Sequence, residues 1–154
     1  MKHKPALWPV VIGTGFGAGF WPWGPGTAGS VVATALWFLL HAELPPAALQ
    51  LAVVALIVLF TFVGIWATQQ LMPFWGDDPS RVVVDEMVGV WVALIAADGV
   101  WTALAALLLF RFFDIVKPLG IRALDRRHGA FWVMADDLLA GLYSAVIILL
   151  IRVF

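Results

Sequence analysis

Two adjacent carboxylates, Asp85 and Glu86, interrupt a stretch that is otherwise apolar from Val82 to Trp91. A charge at the centre of a bilayer costs roughly 2.5–3.5 kcal/mol on insertion scales, so such a pair calls for a cation or a task. Two more acidic groups sit in similar surroundings, Asp114 near the end of one apolar segment and Asp136–Asp137 near the start of another. Carboxylates gathered at one level repel each other unless cations hold them together. Hard oxygen ligands, in a chain without cysteine, suit Mg²⁺ or a similar ion that keeps some of its waters. Gly89 lies four residues after Asp85, and Gly141 four after Asp137. Each acid therefore shares a helix face with a residue that lets a neighbouring helix come close. A lone Asp at a helix N-terminus is more simply an interface residue that suits the helix dipole. Two acidic pairs together with Asp114 point instead to one metal site.

Arg111, Asp114 and Lys117 recur at intervals of three, which puts cation, anion and cation within about a third of a helix circumference. That face suits an anionic substrate beside a metal, and an ion-pair ladder explains the same spacing equally well. The run Pro25-Gly26-Thr27-Ala28-Gly29-Ser30 opens a helix, where free N–H groups with the Thr27 and Ser30 hydroxyls make a phosphate cradle. It lacks the lysine and spacing of a P-loop, so no nucleotide is implied. An ordinary N-cap at Thr27 is the plainer alternative. His3, His41 and His128 show no metal-ligand spacing and receive no role.

These groups need helices to hold them. Glycines and prolines between Gly13 and Gly26 argue against a full spanning helix and for a short interfacial or re-entrant segment. Helices are expected from Thr27 or Ala28 to about His41, from Ala47 to about Leu71, from Val83 to Ala97, from Val100 to Lys117 and from Ala135 to Val153. Gly76 to Ser80 reads as a polar loop, and residues 119–133 as a basic amphipathic surface segment.

Composition agrees. Hydrophobic residues make up 63%, charged residues 12%, and the mean hydropathy is +0.99, against about 25% charged residues in soluble domains. The expected fold is an all-α integral membrane protein: one domain over residues 1–154, a compact bundle of four to five transmembrane helices. Net charge of −1 leaves no basic stripe for nucleic acid. No continuous apolar run follows Lys2 and Lys4, so a cleaved signal is not expected. With a cytoplasmic N-terminus and five crossings, Lys2, Lys4, Arg81, Arg111, Lys117, Arg122, Arg126 and Arg127 fall inside and only Arg152 outside. The three acidic groups then share the cytoplasmic side. The arrangement describes a metal and anion site at bilayer depth, suited to hydrolysis of a lipid phosphate ester. A small cation- or proton-coupled transporter using the same acids is the alternative. It expects a midplane site and inverted repeats, and neither is visible.

Four segments, Gly19–Ser30, Val84–Trp91, Arg111–Pro118 and Asp136–Gly141, together resemble the bacterial phosphatidylglycerophosphatase A family, in order and from about Gly13 to Leu149. Trp21 and Trp23 are bulkier than that family's usual residues, and Leu119-Gly120 departs from its continuation. The resemblance implies a Mg²⁺-dependent inner-membrane phosphatase that converts phosphatidylglycerophosphate to phosphatidylglycerol and inorganic phosphate. It implies metal and catalytic roles for Asp85, Glu86, Asp114, Asp136 and Asp137. Phosphate contacts would come from Thr27, Ser30, Arg111 and Lys117.

Overall fold

The computed structural model describes residues 3–154. Among them the chain forms seven α-helices and no strand: α1 (Leu7–Gly13), α2 (Pro25–Glu43), α3 (Pro46–Trp75), α4 (Val84–Leu94), α5 (Val100–Val116), α6 (Ile121–Asp125) and α7 (Ala130–Val153). A single 3₁₀ turn, Ala18–Phe20, lies between α1 and α2. The glycine-rich N-terminal stretch is thus short and broken, as its composition requires. Proline at the first position of α2 and of α3 sets the φ needed to start each helix.

The innermost helix is α4. All of its residues except Glu86 and Val92 are buried, and it lies against α2, α3, α5 and α7. Its closest neighbour is α7, because Gly89 and Gly141 face each other: a Cβ on Gly89 would stand 2.7 Å from the Asp137 carbonyl oxygen. Gly29 does the same for α2, where a Cβ would lie 2.8 Å from the Val83 side chain. The buried Trp91 indole ties α4 to α2 by donating to the Ala33 carbonyl oxygen at 3.0 Å.

The long helices α2, α3, α4, α5 and α7 alternate in direction along the chain, so α2, α4 and α7 run parallel and the bundle has two distinct ends. At one end Gln50 Nε2 donates to the Ile95 carbonyl at 2.9 Å, and Arg152 reaches the Ala96 carbonyl at 2.9 Å and Asp98 at 3.0 Å. At the other end lie the starts of α2, α4 and α7 and the end of α5. Large apolar side chains such as Leu51, Phe62, Leu108 and Val153 face outward.

Two helices, α3 and α7, are long and apolar enough to cross a membrane. The expected count of four to five crossings also needs α2, α4 and α5, and α4 has only 11 residues and α5 only 17. Boundaries moved in several places, and α3 runs on past Leu71 to Trp75 with Pro73, expected in the following loop, inside the helix. Residues 95–97 leave the α-helix for tighter i→i+3 bonds, such as Ala97 N–H to the Leu94 carbonyl at 3.0 Å, so α4 stops short of Ala97. Residues 119–133 divide into α6 and the first turn of α7, because Gly120 (φ 91°) and Gly129 (φ 122°) set the start of each helix.

Candidate active site

The three acidic groups meet at the end of the bundle where α4 and α7 begin and α5 ends. Asp85 and Glu86 occupy the first turn of α4, Asp114 the last turn of α5, and Asp136 and Asp137 the second turn of α7. Asp85, Asp136 and Asp137 are 6%, 4% and 2% exposed. Oxygens of Asp85, Glu86 and Asp137 lie within 4.8 Å of one another, and so do oxygens of Asp114, Asp136 and Asp137. Asp137 therefore belongs to two trios, each with the geometry to hold a metal ion. Asp85 Oδ1, Glu86 Oε2 and Asp137 Oδ1 are buried without a hydrogen-bond partner. Buried carboxylate oxygens left unpaired are costly, and a hard cation is the partner that would satisfy all three.

The second trio already has protein cations beside it. Arg111 Nη1 donates to Asp114 Oδ2, and Lys117 Nζ donates to Asp136 Oδ2 at 2.7 Å. Lys117 also lies 3.4 Å from Asp125 and 3.6 Å from Asp114. Pro118 denies Lys117 a helical conformation. The residue ends α5 in the left-handed region at φ 55°. Burial works against its charge, but the Asp136 bond and the nearby acids win and raise its pKa above the ordinary lysine value. In the α3–α4 loop, burial and then the charges of Asp85 and Asp125 raise the pKa of Asp78.

A cavity of about 210 Å³ opens onto these groups, walled by all five acids and Lys117 together with Asp77, Asp78, Asp125, Arg127, His128, Trp132 and Val133. Buried acids, a paired lysine and an open cavity together suit an anionic ester that needs its charge offset.

The sequence matches the family model described as Phosphatidylglycerophosphatase A over residues 11–152. The chain belongs to the phosphatidylglycerophosphatase A family. It is an enzyme, a lipid phosphatase. Phosphatidylglycerophosphatase A of Escherichia coli is 36% identical over 143 residues, covering 90% of this chain and 80% of that protein. The Haemophilus influenzae protein of the same name is 35% identical over 161 residues, covering 99% and 94%. A Bacteroides thetaiotaomicron protein named putative phosphatidylinositol-3-phosphatase is 53% identical over 153 residues, covering 97% and 96%. No solved structure matches. Family membership and the two apolar helices associate the chain with a membrane.

Within this family member the residues singled out from sequence separate into two groups. The five acids and Lys117 share one cavity, whereas Thr27, Ser30 and Arg111 are not in its wall. Gly26 brings the start of α2 against the site, since a Cβ there would lie 2.9 Å from Glu86 Oε1 and 3.3 Å from Arg111 Nη1. The N-cap of α2 is Gly24, at φ 104°, rather than Thr27. Thr27 is exposed. Ser30 is buried and donates to the Gly26 carbonyl oxygen at 2.8 Å. Sequence reasoning left out Asp125, Arg127, His128 and Trp132, which reach the cavity only because the chain folds back through α6. Its sole signal was the basic run Arg126-Arg127-His128, which reads equally as a surface charge cluster.

Proposed function

We propose that the chain hydrolyses the terminal phosphomonoester of phosphatidylglycerophosphate to phosphatidylglycerol and inorganic phosphate, a step of phospholipid biosynthesis. The observation that carries this reading is the pair of carboxylate trios sharing Asp137 on the cavity floor, with three buried oxygens lacking partners. Asp85, Glu86, Asp114, Asp136 and Asp137 are the proposed Mg²⁺ ligands and catalytic acids. Bound Mg²⁺ supplies a Lewis acid for the phosphoryl oxygens and lowers the pKa of a water. One of the five carboxylates would take the proton of the attacking water. Lys117 and Arg111 offset charge that develops on the phosphoryl oxygens. Thr27, in the first turn of α2, and Ser30 complete the proposed phosphate contacts. Ser30 would have to share or exchange its bond to Gly26, so Ser30→Ala is expected to cost the least of the four.

The proposed setting is a multi-pass protein of the bacterial inner membrane with its site facing the cytoplasm. The separation of charge between the two ends of the bundle supports this orientation: Arg111, Lys117 and Arg127 lie at the acidic end and Arg152 beside Asp98 at the other. The transporter alternative finds no support in the relatives.

The name of the Bacteroides relative favours a second reading, hydrolysis of phosphatidylinositol 3-phosphate. Purified protein in mixed micelles tests both when phosphate release from each lipid is measured with Mg²⁺ and with EDTA. A higher kcat/KM on phosphatidylglycerophosphate, abolished by EDTA and by Asp85→Asn, is expected. A preference for the inositol lipid would overturn the substrate, and release insensitive to EDTA would overturn the metal.

A further inference from the structure

We infer that Arg127, seated on Trp132 at the rim of the cavity, binds the phosphodiester of the substrate lipid and makes the enzyme select phosphomonoesters carried on a phospholipid. The inference rests on the lipid-phosphatase reading above and assigns a second anion contact within that site.

The argument starts from charge. Eight carboxylate-bearing residues line the cavity, and among the described residues the only permanent cations in its wall are Lys117 and Arg127. Lys117 serves the floor of the site, with three carboxylates within 4.0 Å. Among the described residues Arg127 enters no ion pair. Instead its guanidinium lies 4.5 Å from the centroid of the Trp132 ring. A guanidinium held against an aromatic ring keeps N–H donors for an anion. A planar fork held this way matches two oxygens of a phosphate better than a lysine does.

Geometry then separates the two anions of the substrate. Phosphatidylglycerophosphate and phosphatidylinositol 3-phosphate each carry, besides the terminal phosphomonoester, a phosphodiester that joins the headgroup to the glycerol backbone. The monoester belongs at the buried floor beside Asp85, Asp136 and Asp137. The diester, nearer the acyl chains, must remain towards the rim, where Arg127 is exposed. Trp132 is half-buried there, on the first turn of α7, one of the two helices able to cross a membrane. Tryptophan favours the level of the lipid headgroups, so the Arg127 site has the depth of a phosphodiester.

A comparable residue provides an internal control. Arg81 also lies over aromatic rings, 5.8 Å from the centroid of Phe20 and 5.7 Å from that of Trp75. It lines a separate hollow with Pro79 and Ser80 and is outside the acidic cavity.

Two measurements on the purified full-length protein test the inference. Phosphate release is followed for wild type, Arg127→Gln and Arg81→Gln on phosphatidylglycerophosphate and on glycerol 3-phosphate, which lacks the diester. Arg127→Gln should lower kcat/KM on the lipid roughly 10- to 100-fold, the range of a lost hydrogen bond to a charged group. The loss should fall mainly on KM, with Arg127→Lys recovering part of it. Hydrolysis of glycerol 3-phosphate should change less than about twofold, and Arg81→Gln should match wild type on both. An equal loss on both substrates, or none on the lipid, overturns the inference. The second measurement is the dissociation constant of short-chain phosphatidylglycerol, which carries the diester alone, and it requires no turnover. Arg127→Gln should weaken that binding about tenfold, and unchanged binding overturns the assignment of Arg127. If wild type fails to hydrolyse phosphatidylglycerophosphate while this difference persists, the proposed substrate falls and the diester contact stands.

Discussion

Gly141→Ala adds one methyl group where α7 crosses α4. The new Cβ would stand 2.9 Å from Val92 Cβ and 3.1 Å from the Gly89 carbonyl carbon, and closer still to the Gly89 carbonyl oxygen. Carbon atoms in contact prefer about 3.5–4.0 Å, so the helices must separate by roughly 0.5–1 Å. Backbone cannot step aside as a flexible side chain can. Overpacking of this kind costs about 1–3 kcal/mol. The displacement matters chemically because Asp137 lies one turn before Gly141 and Asp85 one turn before Gly89. A site of this kind must hold its ligands within about 0.5 Å of productive geometry. A Mg²⁺ titration of phosphate release, paired with thermal unfolding in the same detergent, should show the apparent metal affinity falling roughly 10- to 100-fold with a lowered Tm. Gly99→Ala is the control, since nothing lies within 4 Å of a Cβ there, and its titration should overlay wild type. A Gly141→Ala protein with the wild-type Mg²⁺ midpoint would refute the claim that this glycine contact sets the spacing of the acids.

Further expectations concern other parts of the bundle. Lys117→Met removes the cation from Asp136, Asp114 and Asp125, and kcat/KM should fall by about 100-fold or more; an activity within threefold of wild type, by the order-of-magnitude scale of such losses, would contradict its role. Trp91→Phe loses the indole bond to the Ala33 carbonyl and should destabilise the protein by about 1 kcal/mol, read from denaturant or thermal unfolding, with little change in kcat. At the far end, the Thr102 hydroxyl, followed by Arg152, lowers the pKa of Asp98. A depressed carboxylate stabilises the fold above its unfolded pKa, and that contribution is lost as pH falls through the folded value. Asp98→Asn should therefore flatten the acid limb of the stability profile below about pH 4 and leave catalysis at neutral pH unchanged.

The acidic groups were legible in sequence because their position in apolar segments has an energetic cost that composition alone exposes. Gly89 and Gly141 carried the packing: each lies one turn beyond an acid, and the structure sets the two glycines against each other. Helix identities followed from apolar runs and from proline and glycine punctuation. The departures arose where local chemistry overrides a pattern. The end of α4 is decided by the tight turn leading to Asp98 and Gly99, where the Thr102 hydroxyl caps the next helix. The segment after Pro118 looked like one amphipathic stretch because its charges are spread throughout, yet positive φ at Leu119, Gly120 and Gly129 breaks it into separate turns. That same folding back brings Asp125, Arg127 and Trp132 to the cavity, a tertiary result with no periodic signature. The buried bond from Ser30 to Gly26 was equally invisible, since a serine in a glycine-rich helix start reads the same whether it faces a ligand or its own backbone.

The central claim is that carboxylates from α4, α5 and α7 form one metal-dependent phosphoryl site, and Asp137 is the residue common to both trios. The most direct test is the Mg²⁺ dependence of phosphate release from phosphatidylglycerophosphate by purified wild type and Asp137→Asn, with thermal unfolding to verify that the variant is folded. Saturable Mg²⁺ activation in wild type, eliminated by EDTA, and a loss of more than about 100-fold in the folded variant are predicted. Equal, EDTA-resistant release by both proteins would contradict the account.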